Sequence, residues 1–396
     1  MKKNEILVIG WILVFIAFIV FVGFIVSVYF DGYRIYSDSN VALDKTGQFG
    51  DFIGGVVGTI LSAAGFIFLY VTLIDQRQSV SGERFESKFF ELLKLHRDNV
   101  TELSYTKDGP TEYRNREVIK VIFEEFWECL KEVRLLSKSK SPALYMTRHH
   151  ITFLLSIKNK INPSMDLVEL AQIDIAYSVV FFGLEAEGEI VLRDRFRHRY
   201  RGEYFYPLLK LLRLKPKRSN TQLYRQWDVI INSDRKSLVQ FIKQYYEDTD
   251  SPQSQLIINT KKIFSNLVYE KYYGGHHYRL GHYLRHLFQS YKYLNEQTII
   301  DEPLKYFYGK TLRAQLSTYE QFLIFINSLS TLGMNWEFTY EPNPHDLSVK
   351  QLQKTGRYDV GIITRYNLLK NLPGNHYFGI SYRKYYPNIE YETTHG

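Results

Sequence analysis

Two uncharged apolar runs open the chain. Glu5 and Asp31 bracket the first, Ile6 to Phe30; Asp51 and Asp75 bracket the second, Phe52 to Ile74. They hold 25 and 23 residues. At ~1.5 Å rise per residue, each is longer than the roughly 30 Å hydrocarbon core of a bilayer. One charge at mid-membrane costs about 2.5–3.5 kcal/mol, so two clean runs predict two transmembrane helices. A secretory leader has a shorter apolar region and a small-x-small cleavage site after it, and the first run has neither feature.

Beyond residue 75 the pattern becomes that of amphipathic helices. Phe85, Phe89, Leu92, Leu93, His96, Val100 and Leu103 share one helical face. Val118, Ile122, Phe126, Leu130 and Val133 share another. A third stripe runs through Leu304, Tyr308, Leu312, Leu316, Tyr319, Leu323 and Ile326, opened by Asp301 and Pro303. No set of alternating strands precedes residue 330. The tail, roughly 333–396, is richer in Gly, Pro and Asn and suits a few short strands. No internal repeat is present.

The expected fold is therefore membrane-anchored and mainly α. A transmembrane hairpin occupies 1–75, with spans at about 6–30 and 52–74 and a short outer loop at 31–51. A mostly helical cytoplasmic domain fills 76–396. Two polar stretches read as surface connections, Leu136–Pro142 and Lys215–Asn220; they either subdivide the domain near 137–142 or 215–220 or are loops within one domain.

Charge sets the orientation. Lys2 and Lys3 precede the first span, and Arg77, Arg84 and Lys88 follow the second. The loop sets Arg34 and Lys45 against Asp31, Asp38, Asp44 and Asp51. The positive-inside rule then puts both termini in the cytoplasm of a bacterial inner membrane. The chain carries +8 overall, and residues 1–75 hold four basic and six acidic side chains, leaving +10 on 76–396. Such a domain suits anionic lipid heads, nucleic acid or nucleotides.

The second span sets Gly54, Gly58 and Ser62 at i, i+4, i+8, with Gly55, Thr59 and Ala63 alongside. Small residues at this spacing admit another helix, either the first span or a second copy of the chain. The single cysteine, Cys129, allows no intrachain disulfide and no Cys-based zinc site, and reads as a buried thiol.

The densest polar cluster runs from Gly274 to His286. On a helix from about Arg279, Leu280, Tyr283, Leu284, Leu287 and Tyr291 share one face. Arg279, His282, Arg285, His286 and Gln289 gather on the other. Arg313, Ser317 and Glu320 line up on the later stripe, where Glu320 could pair with an arginine. Three readings stay open: a structural polar seam, an anion site for phosphate, nucleotide or RNA, and RNA cleavage. Arg279 and His286, with six residues between them, fit the loose arginine-x(4–6)-histidine pattern of HEPN ribonucleases, in which His moves a proton and Arg stabilises developing charge. Arg193 and His198 fit it too. His282 and His286 have the spacing of a zinc pair but lack the His-Glu-x-x-His sequence and a third ligand, so no metal or cofactor is indicated. Arg193, Arg195, Arg197, Arg199 and Arg201 form a second basic cluster, either a solvated face or a contact for lipid or nucleic-acid phosphates. Phosphate-loop, nucleophile-elbow and dinucleotide fingerprints are absent, which favours a non-catalytic protein.

Several strings stand in a telling order behind the two spans. They are Thr46-Gly47-Gln48-Phe49-Gly50-Asp51-Phe52-Ile53-Gly54-Gly55, then Lys88-Phe89-Phe90-Glu91-Leu92-Leu93-Lys94-Leu95-His96-Arg97-Asp98-Asn99-Val100. Gly281-His282-Tyr283-Leu284-Arg285-His286-Leu287-Phe288 and Leu312-Arg313-Ala314-Gln315-Leu316-Ser317-Thr318-Tyr319-Glu320 follow, and Asn367-Leu368-Leu369-Lys370-Asn371-Leu372-Pro373 closes the set. Over roughly 40–375 the chain resembles phage abortive infection proteins of the AbiC type, and is similar to two-span effectors that accompany some retrons. The resemblance implies phage defence, in which infection is sensed and the host cell is stopped. It brings no catalytic set, but places Arg285, Arg313 and Glu320 in matched strings. The expected function is a membrane effector, with lipid, further copies of itself and a phage trigger or companion defence component as partners. A membrane-tethered ribonuclease or nucleotide sensor is the first alternative, and a non-catalytic scaffold the second.

Overall fold

A computed structural model of the chain describes residues 3–31, 43–246, 261, 264, 268–341 and 361–392. Lys2, Arg34, Asp38 and most of the outer loop assigned to 31–51 lie outside the described residues, as does part of the tail. The chain forms two compact units, Met1–Lys88 and Phe89–Gly396.

In the first unit, α1 spans Lys3–Phe30. It is apolar all round: only Gly10 and Ala17 are buried, while Trp11, Phe15 and Phe18 stand open. A soluble helix would hide such a surface. Next come α2 (Leu43–Phe52), a π-helical turn at Ile53–Val57 and α3 (Gly58–Thr101). Two helical stretches, Lys3–Phe30 and Thr46–Thr101, are long and apolar enough to cross a membrane. They run antiparallel: Lys3 meets Asp75 at 2.5 Å, Trp11 meets Phe68 edge-on, and Phe24 stacks on Phe52 at 3.9 Å.

The close approach between these two helices is made by Gly10. A Cβ there would meet Phe68 at 3.0 Å and Ile67 at 3.2 Å. Ala17, Val57, Ala64 and Val71 are buried as well. The small residues picked out in the sequence lie elsewhere. A Cβ on Gly54 or Gly55 would meet nothing within 4 Å, and one on Gly58 only the backbone of its own helix at Ile53. Ser62 and Thr59 donate to Gly58 O and Gly55 O, so their hydroxyls are satisfied within the helix. Gly54, Gly55, Thr59, Ser62 and Ala63 form an open surface of the hairpin.

The second unit is mostly helical. Its centre is α4 (Arg116–Leu136) against α6 (Leu167–Phe182), with α13 (Thr318–Leu329) packed on both. The apolar period explains α4: Val118, Ile122, Phe126, Leu130 and Val133 are all buried. Nearly every residue of α6 is buried, and Asp166 starts it by accepting from Val168 N and Glu169 N. Around this centre lie α5 (Arg148–Ile161), α7 (Ala186–Arg197), α8 (Gly202–Leu214), α9 (Thr221–Ile231) and α10 (Arg235–Tyr246). α11 (His277–Asn295) and α12 (Glu302–Arg313) precede α13.

Three expectations change. The stripe from Leu304 to Ile326 is two helices, because Ser317 and Glu320 make a capping box that starts a new one. A short hairpin, β1 (Ser104–Thr106) with β2 (Glu112–Arg114), precedes residue 330. Lys215 is not a surface residue: it is 1% exposed, drawn inward by Glu128 and Glu132. The tail carries α14 (Ile362–Arg365), the two-residue strands β3 (His376–Tyr377) and β4 (Ile380–Ser381), and α15 (Tyr382–Tyr385).

Candidate functional site

α3 ends inside the second unit, where Phe89, Leu93, His96 and Val100 are buried. The Phe89 ring lies 4.8 Å from that of Tyr308. One turn beyond Leu93, the apolar face carries an imidazole. His96 Nε2 stands 3.8 Å from Glu320 Oε1, with both side chains almost wholly buried.

Glu320 is the hub. Its Oε2 accepts from Ser317 N at 2.6 Å, completing the capping box. Its Oε1 accepts from the Tyr283 hydroxyl at 2.9 Å. Arg116 brings Nε to 3.3 Å and anchors its own Nη2 on Gln315 O at 2.6 Å. His286 lies near enough to His96 to oppose its protonation. The carboxylate thus draws α3, α4 and α11 onto the start of α13. A buried carboxylate is tolerable here because its lone pairs are met by hydroxyl, amide and guanidinium donors.

Burial pushes His96 down to about 4; Glu320 pulls the other way, and His286 and Arg116 add to the fall. His96 is therefore neutral at pH 7. Unfolded, it titrates near 6.5. Between about pH 6.5 and 4 the unfolded chain binds a proton that the folded chain refuses, so stability falls as pH falls. Over that window the loss at His96 approaches about 3 kcal/mol. His150, also pushed to about 4 by burial, acts in the same sense, and Glu337, raised by burial to about 7, in the opposite one. Comparing the second unit's melting temperature against pH in wild type and His96→Asn isolates the His96 contribution. The variant is expected to lose less stability on acidification, and parallel curves would refute the assignment.

A second buried network starts α11. His276 Nε2 lies 2.8 Å from Glu125 Oε2, and Tyr105 donates to Glu125 Oε1 at 2.7 Å. Arg279 donates to Ser104 O at 2.8 Å, lies 3.2 Å from His276 Nδ1, and covers the rings of Tyr105 and Tyr278. The entry to α11 rests on a glycine crossing. Gly183 and Gly275 have φ of +80° and +88°, and a Cβ on either would meet the opposing backbone at 2.6 Å. Leu184 N donates to Tyr273 O and His276 N to Phe181 O, each at 2.8 Å, on either side.

The structure distributes the residues picked out in the sequence. Glu320 stands at the hub, and His286 lies near its partner His96. Arg279 belongs to the Glu125 network, so the arginine and histidine of the ribonuclease-like pattern, about 10 Å apart along one helix, serve different neighbours. His282 and Arg285 are exposed. Arg313 does not pair with Glu320; its Nη1 donates to Tyr366 O at 2.9 Å and Asn367 O at 3.0 Å, pinning the C-terminal segment. In the second basic cluster, Arg193 pairs with Glu189, Arg197 with Asp194, Arg199 with Asp174 and Arg201 with Glu203. Arg195 covers the Phe182 ring. Arg199 is internal: Asp174 also accepts from the Tyr200 hydroxyl and from Thr331. Among the described residues no group of three His, Cys, Asp or Glu is placed to hold a metal ion.

Sequence reasoning did not single out Arg116 or Glu125, placed Lys215 in a surface connection, and gave His276 no role of its own within the Gly274–His286 cluster. The available signal was the row Glu125, Glu128 and Glu132, which lines up three carboxylates beside the apolar face of an amphipathic helix.

No curated protein and no solved structure matches the chain. Residues 275–340 match the model of a family described as "Putative phage abortive infection protein". The resemblance set out over 40–375 narrows to this segment, which contains His276, Arg279, Tyr283, His286, Arg313 and Glu320.

Proposed function

We propose that the chain is an antiphage effector of the bacterial inner membrane, with both termini in the cytoplasm and a helical domain that controls its spans. One observation carries the reading. The helix that starts in the second apolar stretch, α3, ends in the His96–Glu320 contact, and Tyr283 and Glu320 lie in the segment matching the abortive-infection family. A trigger that loosens the Glu320 hub would release the end of a helix whose other end lies in lipid. The open face at Gly54, Gly58 and Ser62 then meets further copies of the chain, and the membrane leaks.

The test follows membrane potential through phage infection in cells with and without the protein, sampling total RNA at the same times. Early depolarisation with intact RNA is the expected result. A steady potential with fragmented RNA would overturn it in favour of a tethered ribonuclease. The variant is Gly54→Leu with Gly58→Leu. Space is open at Gly54 and contact at Gly58 is ordinary, so the hairpin should insert and fold normally. Protection is expected to disappear, with plaquing returning to the level of unprotected cells. Full protection by a well-expressed double variant would rule out assembly through this face.

A further inference from the structure

The segment Ser137–Lys140 lines a polar cavity of about 300 Å³ that neither the Glu320 hub nor the N-terminal hairpin uses. Arg134, Lys138 and Lys140 contribute three cations to its wall, and Asp166 and Glu169 two carboxylates. Both carboxylates are engaged. Glu169 meets Arg134 at 3.4 Å and Lys384 at 3.1 Å, and accepts from Tyr385. Asp166 caps α6 and lies 3.9 Å from Lys384. Lys138 and Lys140 are exposed and have no carboxylate partner among the described residues. The balance left at the cavity is positive, and alternating serine and lysine side chains supply donors and no fixed anion.

An aromatic pair adjoins the turn that reaches the cavity. Gly379 reaches the cavity from the turn between β3 and β4, and its neighbour Phe378 stacks on Trp127 at 4.2 Å and 24°. Arg134 lies over the same indole at 5.6 Å. Phe378 has φ of +50° and Gly379 of +79°, both positive as in the mirror-image turn that Asn-Gly fills without strain. A bulky aromatic in that conformation costs about 1–2 kcal/mol. The strain does not bury the ring, which is 40% exposed.

We propose that this cavity and the adjoining aromatic pair bind a 5′-nucleotide, with the phosphates among Lys138, Lys140 and Arg134 and the base on Phe378. The size decides the class: about 300 Å³ is at the lower end of ligand pockets, enough for the phosphates of one nucleotide. Inorganic phosphate uses only the cavity, and a nucleic-acid strand needs a groove. The assignment stands independently of membrane leakage.

Full-length protein in detergent micelles, titrated with ATP, AMP, pyrophosphate and oligo-RNA in equilibrium dialysis, tests it. ATP and AMP should bind, and Lys138→Glu with Lys140→Glu should weaken both roughly tenfold per lysine. These side chains are exposed, so the melting temperature should stay unchanged. Phe378→Asn retains the turn preference and removes the ring. It should weaken AMP about tenfold, from the loss of one stacked base, and leave pyrophosphate unchanged. Equal loss of AMP and pyrophosphate binding on Phe378→Asn would overturn the base shelf. Affinity that rises steadily with RNA length would replace the nucleotide by a strand. Binding untouched by charge reversal, or no binding, would remove the site.

Discussion

Replacing Lys215 with methionine is expected to destabilise the second unit by about 3–5 kcal/mol, enough to unfold a marginal domain. The ammonium lies 2.6 Å from Glu132 and 3.0 Å from Glu128, and 3.8 Å above the Tyr272 ring. Burial works against its charge, but the two carboxylates prevail and hold its pKa above the ordinary lysine value. Methionine fills similar space, so the effect would be electrostatic. Glu128 keeps Arg218 at 2.6 Å, whereas among the described residues Glu132 retains the Tyr273 hydroxyl, at 2.7 Å. Adding Glu132→Leu removes the stranded carboxylate and should recover most of the loss. Urea unfolding of the purified protein, read as a midpoint at constant slope, measures both. A Lys215→Met loss below about 1 kcal/mol would mean that the network contributes little.

Gly275→Ala is expected to be nearly as severe, at about 3 kcal/mol or more. Two penalties coincide there. The backbone at φ +88° disfavours any Cβ, and that Cβ would lie 2.6 Å from Phe182 O. The obstructing atom is main chain, held by hydrogen bonds on both sides of the crossing, so it cannot rotate away. Two further substitutions separate the penalties. Gly374→Ala has φ +69° but only His376 O at 3.9 Å, and should lose about 1 kcal/mol from conformation alone. Gly274→Ala meets nothing within 4 Å and should be close to neutral. Equal melting temperatures for the three variants would contradict this ranking.

The parts of the fold legible in the sequence are those that one helix decides for itself. The stripes through Val118 and Val133, and through Leu280 and Tyr291, are buried position for position, because a 3.6-residue period leaves one face for the core. Asp301 caps α12 by accepting from Leu304 N at 3.1 Å, a signal contained in four residues. The division between α12 and α13 was also present, as Ser317 three residues before Glu320, but an unbroken apolar stripe hid it. β1 and β2 are three residues each, too short for alternation to show, although Asp108-Gly109 marks their turn.

The polar clusters were harder to read because their partners come from distant parts of the chain. Arg116 reaches Gln315 across 199 positions, and Glu125 reaches His276 across 151. No local window holds both members. His96 and Tyr283 were visible as members of apolar faces, and that reading was correct for their burial. Their shared carboxylate became visible only when α3, α11 and α13 packed together. Arg199 shows the opposite effect. It sits in the most basic stretch of the chain yet is spent on an internal aspartate.

The π-helical turn at Ile53–Val57 bears on how the open face of the hairpin is read. One extra residue in a turn shifts everything beyond it by about 100° around the axis. Gly54 lies inside that shift, and Gly58 and Ser62 lie after it. Counting in fours therefore draws a straight ridge where the molecule has a bent one. A neighbouring helix that touches Gly54, Gly58 and Ser62 together must therefore follow the bend, and two copies that pair there must bend alike.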